Sequence, residues 1–210
     1  MEKKKVLILG AGGQIARHVI EFLEDNDAIA LTLFARNARD LRGTKATIIE
    51  GDVLNKEQLD EAIKGQDIVY ANLAGSVDRM AKAIVDAMTA RDVRRLIFVT
   101  SLGIYDEVPG TFGKWNNSMI GSALKTYRKA ADVIEDSDLD YTVIRPAWLT
   151  DRDEVDYETT QKDEPFKGTE VSRKSVAAFI ADVIENPEKD FKSSVGIDKP
   201  GTDGDKPAFY

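Results

Sequence analysis

The chain contains no cysteine, which excludes disulfides, thiolate metal sites and a cysteine nucleophile. A single histidine, His18, leaves nothing from which to build a histidine-rich metal centre or a serine–histidine relay. Basic residues are the minority charge, 29 against 37 acidic, for a net charge of −8. Nothing global therefore attracts a polyanion, which argues against nucleic acid or an anionic membrane as partner, and any phosphate site must be local. Long apolar runs are also missing: Met1–Lys5 leads into four apolar residues before Gly10. This points to a chain without signal peptide or membrane span, expected in the cytoplasm. Tryptophan occurs twice, at Trp115 and Trp148.

What is present is an alternation of two periodicities across 210 residues, 42% of them apolar. Short β-rich runs apolar on both faces occur at residues 6–9, 28–35, 46–49, 67–73, 95–100 and 141–144, with a weaker one at 193–197. Such runs mark strands buried in a parallel sheet. Between them lie helical patterns at residues 13–24, 55–64, 76–91, 118–136 and 172–185. Asn55 with Gln58 forms a capping-box pattern, and Ser172 can cap the last helix. Residues 39–45 are too few for a crossover helix and imply a turn. Alternating strands and helices predict an α/β fold, a Rossmann-type doubly wound parallel sheet with helices on both faces. One nucleotide-binding domain is expected over residues 1–198. Its polar region at 147–171 would form a loop or hairpin over the carboxyl ends of the strands, with a loosely held tail at 199–210.

The most informative stretch is Gly10-Ala11-Gly12-Gly13-Gln14-Ile15-Ala16, between the first strand and first helix. Missing side chains let the chain turn sharply and let a pyrophosphate approach the helix amides, while Ala16 permits close helix–strand packing. The plainer alternative is a turn that serves packing only. About 20 residues on, a NAD site carries an acid for the ribose 2′-hydroxyl. Here the second strand ends Ala35-Arg36-Asn37. Arg36, assisted by Arg39, suits a 2′-phosphate, which favours NADP(H) over NAD(H). The competing account is an ordinary solvated arginine.

These residues resemble the atypical short-chain dehydrogenase/reductase family, in its NmrA-like and biliverdin reductase B/flavin reductase-like branches. The likeness runs over nearly the whole chain: Gly10, Gly13 and Ala16; Gly51-Asp52-Val53; Leu73-Ala74-Gly75; Val99-Thr100-Ser101; Lys129-Ala130-Ala131-Asp132; Tyr141–Leu149 with its Arg145-Pro146 step; and Val171–Ala177. The resemblance implies an adenine contact at Asp52 and Val53 and a nicotinamide-side turn at Ala74 and Gly75. It further implies cofactor contacts at Thr100, Pro146 and Trp148, an active-site Ser101 and a ribose-orienting Lys129.

One departure bears on the chemistry. The family's Tyr-x-x-x-Lys acid is absent, because position 125 is lysine. Tyr127, two residues from Lys129, lies about 200° around a helix from it and does not take that role on a regular helix. Tyr105, four beyond Ser101, is a candidate substitute, with loop packing as its competing role. Without the tyrosine, delocalised acceptors are favoured over simple carbonyls, since a flavin or quinone spreads the added charge and takes its proton from solvent. Trp148, Trp115 and Phe112 would supply a flat wall for such a ligand. The expected activity is an NADPH-dependent oxidoreductase acting on a small, planar, conjugated, flavin- or quinone-like acceptor. The alternative is a non-catalytic NAD(P)-binding redox sensor acting through a protein partner; a homodimer is also open. The acids at 151, 153, 154 and 156 lack metal-ligand spacing and read as a solvated loop.

Overall fold

The computed structural model describes residues 2–41 and 43–210, without the side chain of Asp40. Eight strands form the main sheet, in the order β3-β2-β1-β4-β5-β6-β10-β8. They are β1 Lys4–Leu9, β2 Ile29–Ala35, β3 Thr47–Glu50, β4 Ile68–Ala71, β5 Arg95–Val99, β6 Asp140–Pro146, β8 Glu158–Thr160 and β10 Ser193–Asp198. All neighbours pair parallel except β8, which runs antiparallel to β10 at the edge. Two further strands, β7 Trp148–Thr150 and β9 Glu170–Ser172, make a separate parallel pair. The helices are α1 Gln14–Leu23, α2 Lys56–Ile63, α3 Val77–Ala90, α4 Gly110–Glu135 and α5 Arg173–Glu185. The doubly wound α/β architecture read from the periodicities is the one observed.

Period-two alternation sorts the strand side chains between two cores. Val6 and Ile8 of β1 join α1 and α5 on one face, while Leu7 and Leu9 join α2, α3 and α4 on the other. All four are fully buried, each worth about 1.5–3 kcal/mol relative to exposure. Because β1 has β2 on one side and β4 on the other, the chain reverses its winding there. The diverging connections open a crevice at the carboxyl ends of these strands, where doubly wound sheets bind ligands.

Helix α4 begins eight residues before the expected position 118. Its first half carries a weak apolar pattern, and a kink at Ile120 (φ −130°, ψ 18°), next to Gly121, breaks the periodicity. In the first half of the helix, Asn116 accepts a 2.9 Å hydrogen bond from the Trp148 indole. The region between β6 and α5 is also more ordered than a plain loop, since it supplies β7, β8 and β9. Its acids pair with cations: Asp151 with Arg173, Asp153 with Lys174, and Glu154 with Lys199.

The tail was expected to be loosely held, and the structure corrects this. The Thr169 hydroxyl donates to the Thr202 carbonyl at 2.7 Å, the Ala208 amide donates to the Glu170 carboxylate at 2.9 Å, and Pro207 is buried. Composition misled because the anchors lie some 30–40 positions away in sequence. Among the described residues, no helix is long and apolar enough to cross a membrane.

A buried ion pair ties the central strands to the loop after β5. Arg145 on β6 is fully buried and meets Glu107 at 2.6 Å. The same carboxylate accepts the amides of Gly103 and Tyr105, both at 2.9 Å, while Arg145 also donates to the Ser194 hydroxyl and carbonyl. Glu107→Ala strands a buried cation and two amides, so it should cost about 3–5 kcal/mol of unfolding free energy in a urea titration.

Asp198 sits fully buried at the end of β10, accepting the Gly168 amide at 2.9 Å through one oxygen. Burial pushes its carboxyl up from the ordinary 3.8 to about 7. The native state then holds this proton more tightly than the unfolded chain. Its stabilising contribution is complete below the ordinary value and drains away as pH rises toward 7. Asp198→Asn keeps an acceptor for Gly168 and removes the titration. The melting temperature of the variant relative to the parent should therefore climb between pH 4.5 and 7; a pH-independent difference would contradict the assignment.

Candidate functional site

The glycine turn closes the end of β1. The Gly10 and Ala11 amides donate to the Phe34 carbonyl of β2, and the Gly13 amide donates back to the Gly10 carbonyl at 3.0 Å. Gly10 has φ +79°, and a Cβ there would stand 2.1 Å from the Asn72 carbonyl oxygen. Gly13 is constrained less severely: a Cβ there would meet the movable side-chain amide nitrogen of Asn72 at 2.0 Å and the Gly10 carbonyl oxygen at 3.2 Å. Gly12 differs: nothing lies within 4 Å of a Cβ built on it, and its backbone lines the crevice. Two glycines thus serve the turn, while the third keeps a cradle open for something outside the chain.

The amides of Gly12, Gln14 and Ile15 have no backbone acceptor among the described residues. Helix α1 also has no side-chain cap and no acid in its first turn. Unpaired amides and a positive helix end facing an open cradle fit a diphosphate. The glycine-lined crevice of about 340 Å³ continues past Phe34, Ala35, Arg36 and Asn37 of β2 and past Gly51, Asp52 and Val53 after β3. On the β4 side it is bounded by Asn72, Leu73 and Ala74. Arg36 is exposed at its rim. Asp52 accepts the Leu54 amide at 2.8 Å while its own amide is held by Gln58. Val53 is buried beneath. Arg39 lies in the 3₁₀ turn Arg39–Leu41 and does not line the crevice. Gly75, at φ +91°, turns the chain into α3 just beyond Ala74.

A second groove, of about 420 Å³, lies over the carboxyl ends of β5 and β6. Its floor and walls include Thr100, Ser101, Pro146, Trp148, Ile120, Tyr127, Arg173 and Tyr210. The Thr100 hydroxyl donates to the Ile144 carbonyl at 2.9 Å, which fixes the start of the loop. Ser101 donates to the Leu102 carbonyl at 3.1 Å and stays partly accessible. The Tyr127 hydroxyl reaches the Leu73 carbonyl at 3.4 Å, so the two grooves adjoin at the residue that bounds the first. Burial raises the Tyr127 phenol above its ordinary value, keeping it protonated.

Two assigned roles change. Lys129 is exposed on α4 and lines neither groove. The 200° offset anticipated from the helix is real, but it turns Tyr127 inward and Lys129 outward. Tyr105 is engaged by other groups and does not line the second groove: its hydroxyl donates to Glu135 at 2.5 Å, and its ring is ringed by Arg128, Arg145 and Lys162. Burial, reinforced by Glu135, raises this phenol as well, and the side chain staples the loop to α4. His18 pairs with Glu21 at 2.9 Å on the exposed side of α1.

The sequence reading passed over Asn72, whose only signal was its place before Leu73-Ala74-Gly75. It also passed over Tyr210, for which position in the chain carried no signal. Phe112, Trp115 and Trp148 do come together: the first two rings are stacked at 6.1 Å and the two indoles are 4.8 Å apart.

A family model described as NAD(P)H-binding matches residues 10–187. A Rossmann-fold NAD(P)-binding family protein from Shigella flexneri is 54% identical, covering 100% of both chains with a TM-score of 0.86. A short-chain dehydrogenase/reductase from Veillonella parvula, solved in complex with NADP, is 31% identical over 98% of this chain and 99% of that one, with a TM-score of 0.90. The chain spans 42% of the length of the Aspergillus flavus oxidoreductase aprR, to which it is 27% identical over 137 residues, 62% of this chain. With an open amide cradle in a doubly wound sheet and a family match over most of its length, the chain belongs to the NAD(P)H-binding family of Rossmann-fold proteins.

Proposed function

We propose that this protein is an NADPH-dependent oxidoreductase that reduces a small, planar, conjugated acceptor. The observation that carries the reading is the meeting of the two grooves at Leu73 and Tyr127, one shaped for a dinucleotide and the other walled by aromatic rings. The NADP complex of the Veillonella parvula relative supports the cofactor assignment.

In this reading the amides of Gly12, Gln14 and Ile15 hold the diphosphate, and Asp52 and Val53 bound the adenine. Arg36 pairs with the 2′-phosphate. Ala74, Gly75, Thr100, Pro146 and Trp148 surround the nicotinamide end. Bound NADPH supplies the hydride. Tyr127 and Ser101 offer hydroxyls at the join of the grooves, where Tyr127 can give a proton to an acceptor oxygen that gains charge. The aromatic wall orients a flat ring and excludes water from one of its faces.

The deciding experiment mixes purified protein with NADPH and a panel of flavins, quinones and aldehydes, following absorbance of the reduced nicotinamide. Turnover with the planar members is expected. Tight binding without oxidation across the panel would instead support a redox sensor acting through a protein partner, a reading favoured by the outward Lys129.

Removal of the guanidinium in Arg36→Ala should weaken NADPH by about tenfold or more, with NADH nearly unaffected, because only the phosphate makes a charge-assisted contact. Equal losses in a fluorescence titration of both nucleotides would remove the case for the 2′-phosphate. Tyr127→Phe should slow any aldehyde reduction by about 10²-fold and leave quinone reduction within about threefold, since only an alkoxide needs the acid. Lys129→Ala should change neither rate, which steady-state kinetics on both acceptor classes would check.

A further inference from the structure

The second groove contains a cation that the reductase reading leaves without work. Arg173 opens α5 and is 20% exposed, and it is the only lysine or arginine among the groove's lining residues. A cation in the first turn opposes the helix dipole, so its placement does not serve the helix. Its partner is Asp151, at 2.8 Å, whose side chain is 78% exposed. A pair with one largely solvent-exposed member is weak and exchangeable, contributing about 1 kcal/mol or less. An oxyanion entering the groove can displace Asp151 at little cost.

The groove is also lined by aromatic rings. The Tyr210 ring stands edge-on to Trp115 at 5.1 Å and to Trp148 at 5.2 Å, with Phe209 5.4 Å from Tyr210. Phe209 and Tyr210 are each 51% exposed, so they show ring surface to the groove and to solvent. The segment that carries them is held by the Ala208–Glu170 hydrogen bond.

We propose that the acceptor is a flat aromatic molecule bearing a carboxylate or phosphate, its ring against the Trp148–Tyr210 wall and its oxyanion on Arg173 in place of Asp151. Arg173 and Tyr210 are then specificity-determining residues. This rests on the reductase reading of the same groove and adds to it the charge of the substrate.

The test compares two molecules with one ring system, riboflavin and its phosphate ester FMN, by quenching of flavin fluorescence on binding to protein saturated with NADP⁺. FMN should bind about tenfold more tightly than riboflavin, the worth of one charge-assisted contact. Arg173→Gln should abolish that preference. Asp151→Asn should strengthen FMN roughly threefold by freeing the cation, an outcome that damage to the fold would not produce. Tyr210→Ala should weaken both flavins alike, by about fivefold. Anthraquinone-2-carboxylate as competitor separates the two anions: displacement of FMN that depends on Arg173 extends the site to carboxylates, and failure to displace restricts it to phosphates. Equal affinities for FMN and riboflavin, a preference that survives Arg173→Gln, or no binding of either flavin would overturn the inference. NADPH oxidation with uncharged quinones, which need no Arg173 contact, reports on the reductase reading by itself.

Discussion

The carboxylate of Glu107 is the hinge of the structure's functional end. It lies between the Arg145 guanidinium and the amides of Gly103 and Tyr105, with almost no access to solvent. Arg145 in turn spans from β6 to Ser194 on β10. One ion pair therefore sets the course of the loop that begins at Ser101 and fixes it relative to two strands of the sheet. A buried pair of this kind is no guarantee of net stability, because its attraction largely repays the desolvation of two ions. Its effect is geometric, since an apolar pair of equal volume would not hold two backbone amides and a strand at once.

From that anchoring follows a division between the two grooves. The first is made of backbone at its glycine end: free amides, a glycine with no neighbour in its Cβ direction, and strand ends held by the sheet. Such a surface suits a ligand with the same diphosphate in every case. The second is made of side chains drawn from five separate stretches, α4, the loop after β5, the end of β6 with β7, the start of α5 and the tail. Its shape varies with each of them, as is usual for a surface built from side chains on loops and element ends.

The backbone half was legible in the sequence. Gly10, Gly12 and Gly13 between a buried strand and an amphipathic helix imply the turn, and position after β2 singles out Arg36. The side-chain half was much less so. Tyr127 was set aside because it breaks a spacing rule relative to Lys129, yet it is the residue that faces the groove. Counting from Ser101 left Tyr105 open between a catalytic role and loop packing, and it packs the loop: Glu107 takes its amide and Glu135 takes its hydroxyl. Neither carboxylate's role can be read from local spacing, because each depends on which helix the loop packs against.

By itself, the order of apolar runs determined the parallel sheet, the winding of helices on its two faces and the place of the glycine turn. These follow from periods of two and 3.6 and from the shortness of the connections, all of them local properties. Tertiary structure alone decided which face of α4 looks inward, where the aromatic rings at positions 115, 148 and 210 meet, and which cation borders the second groove. Those contacts join residues tens of positions apart, and their partners are chosen by the packing of whole elements.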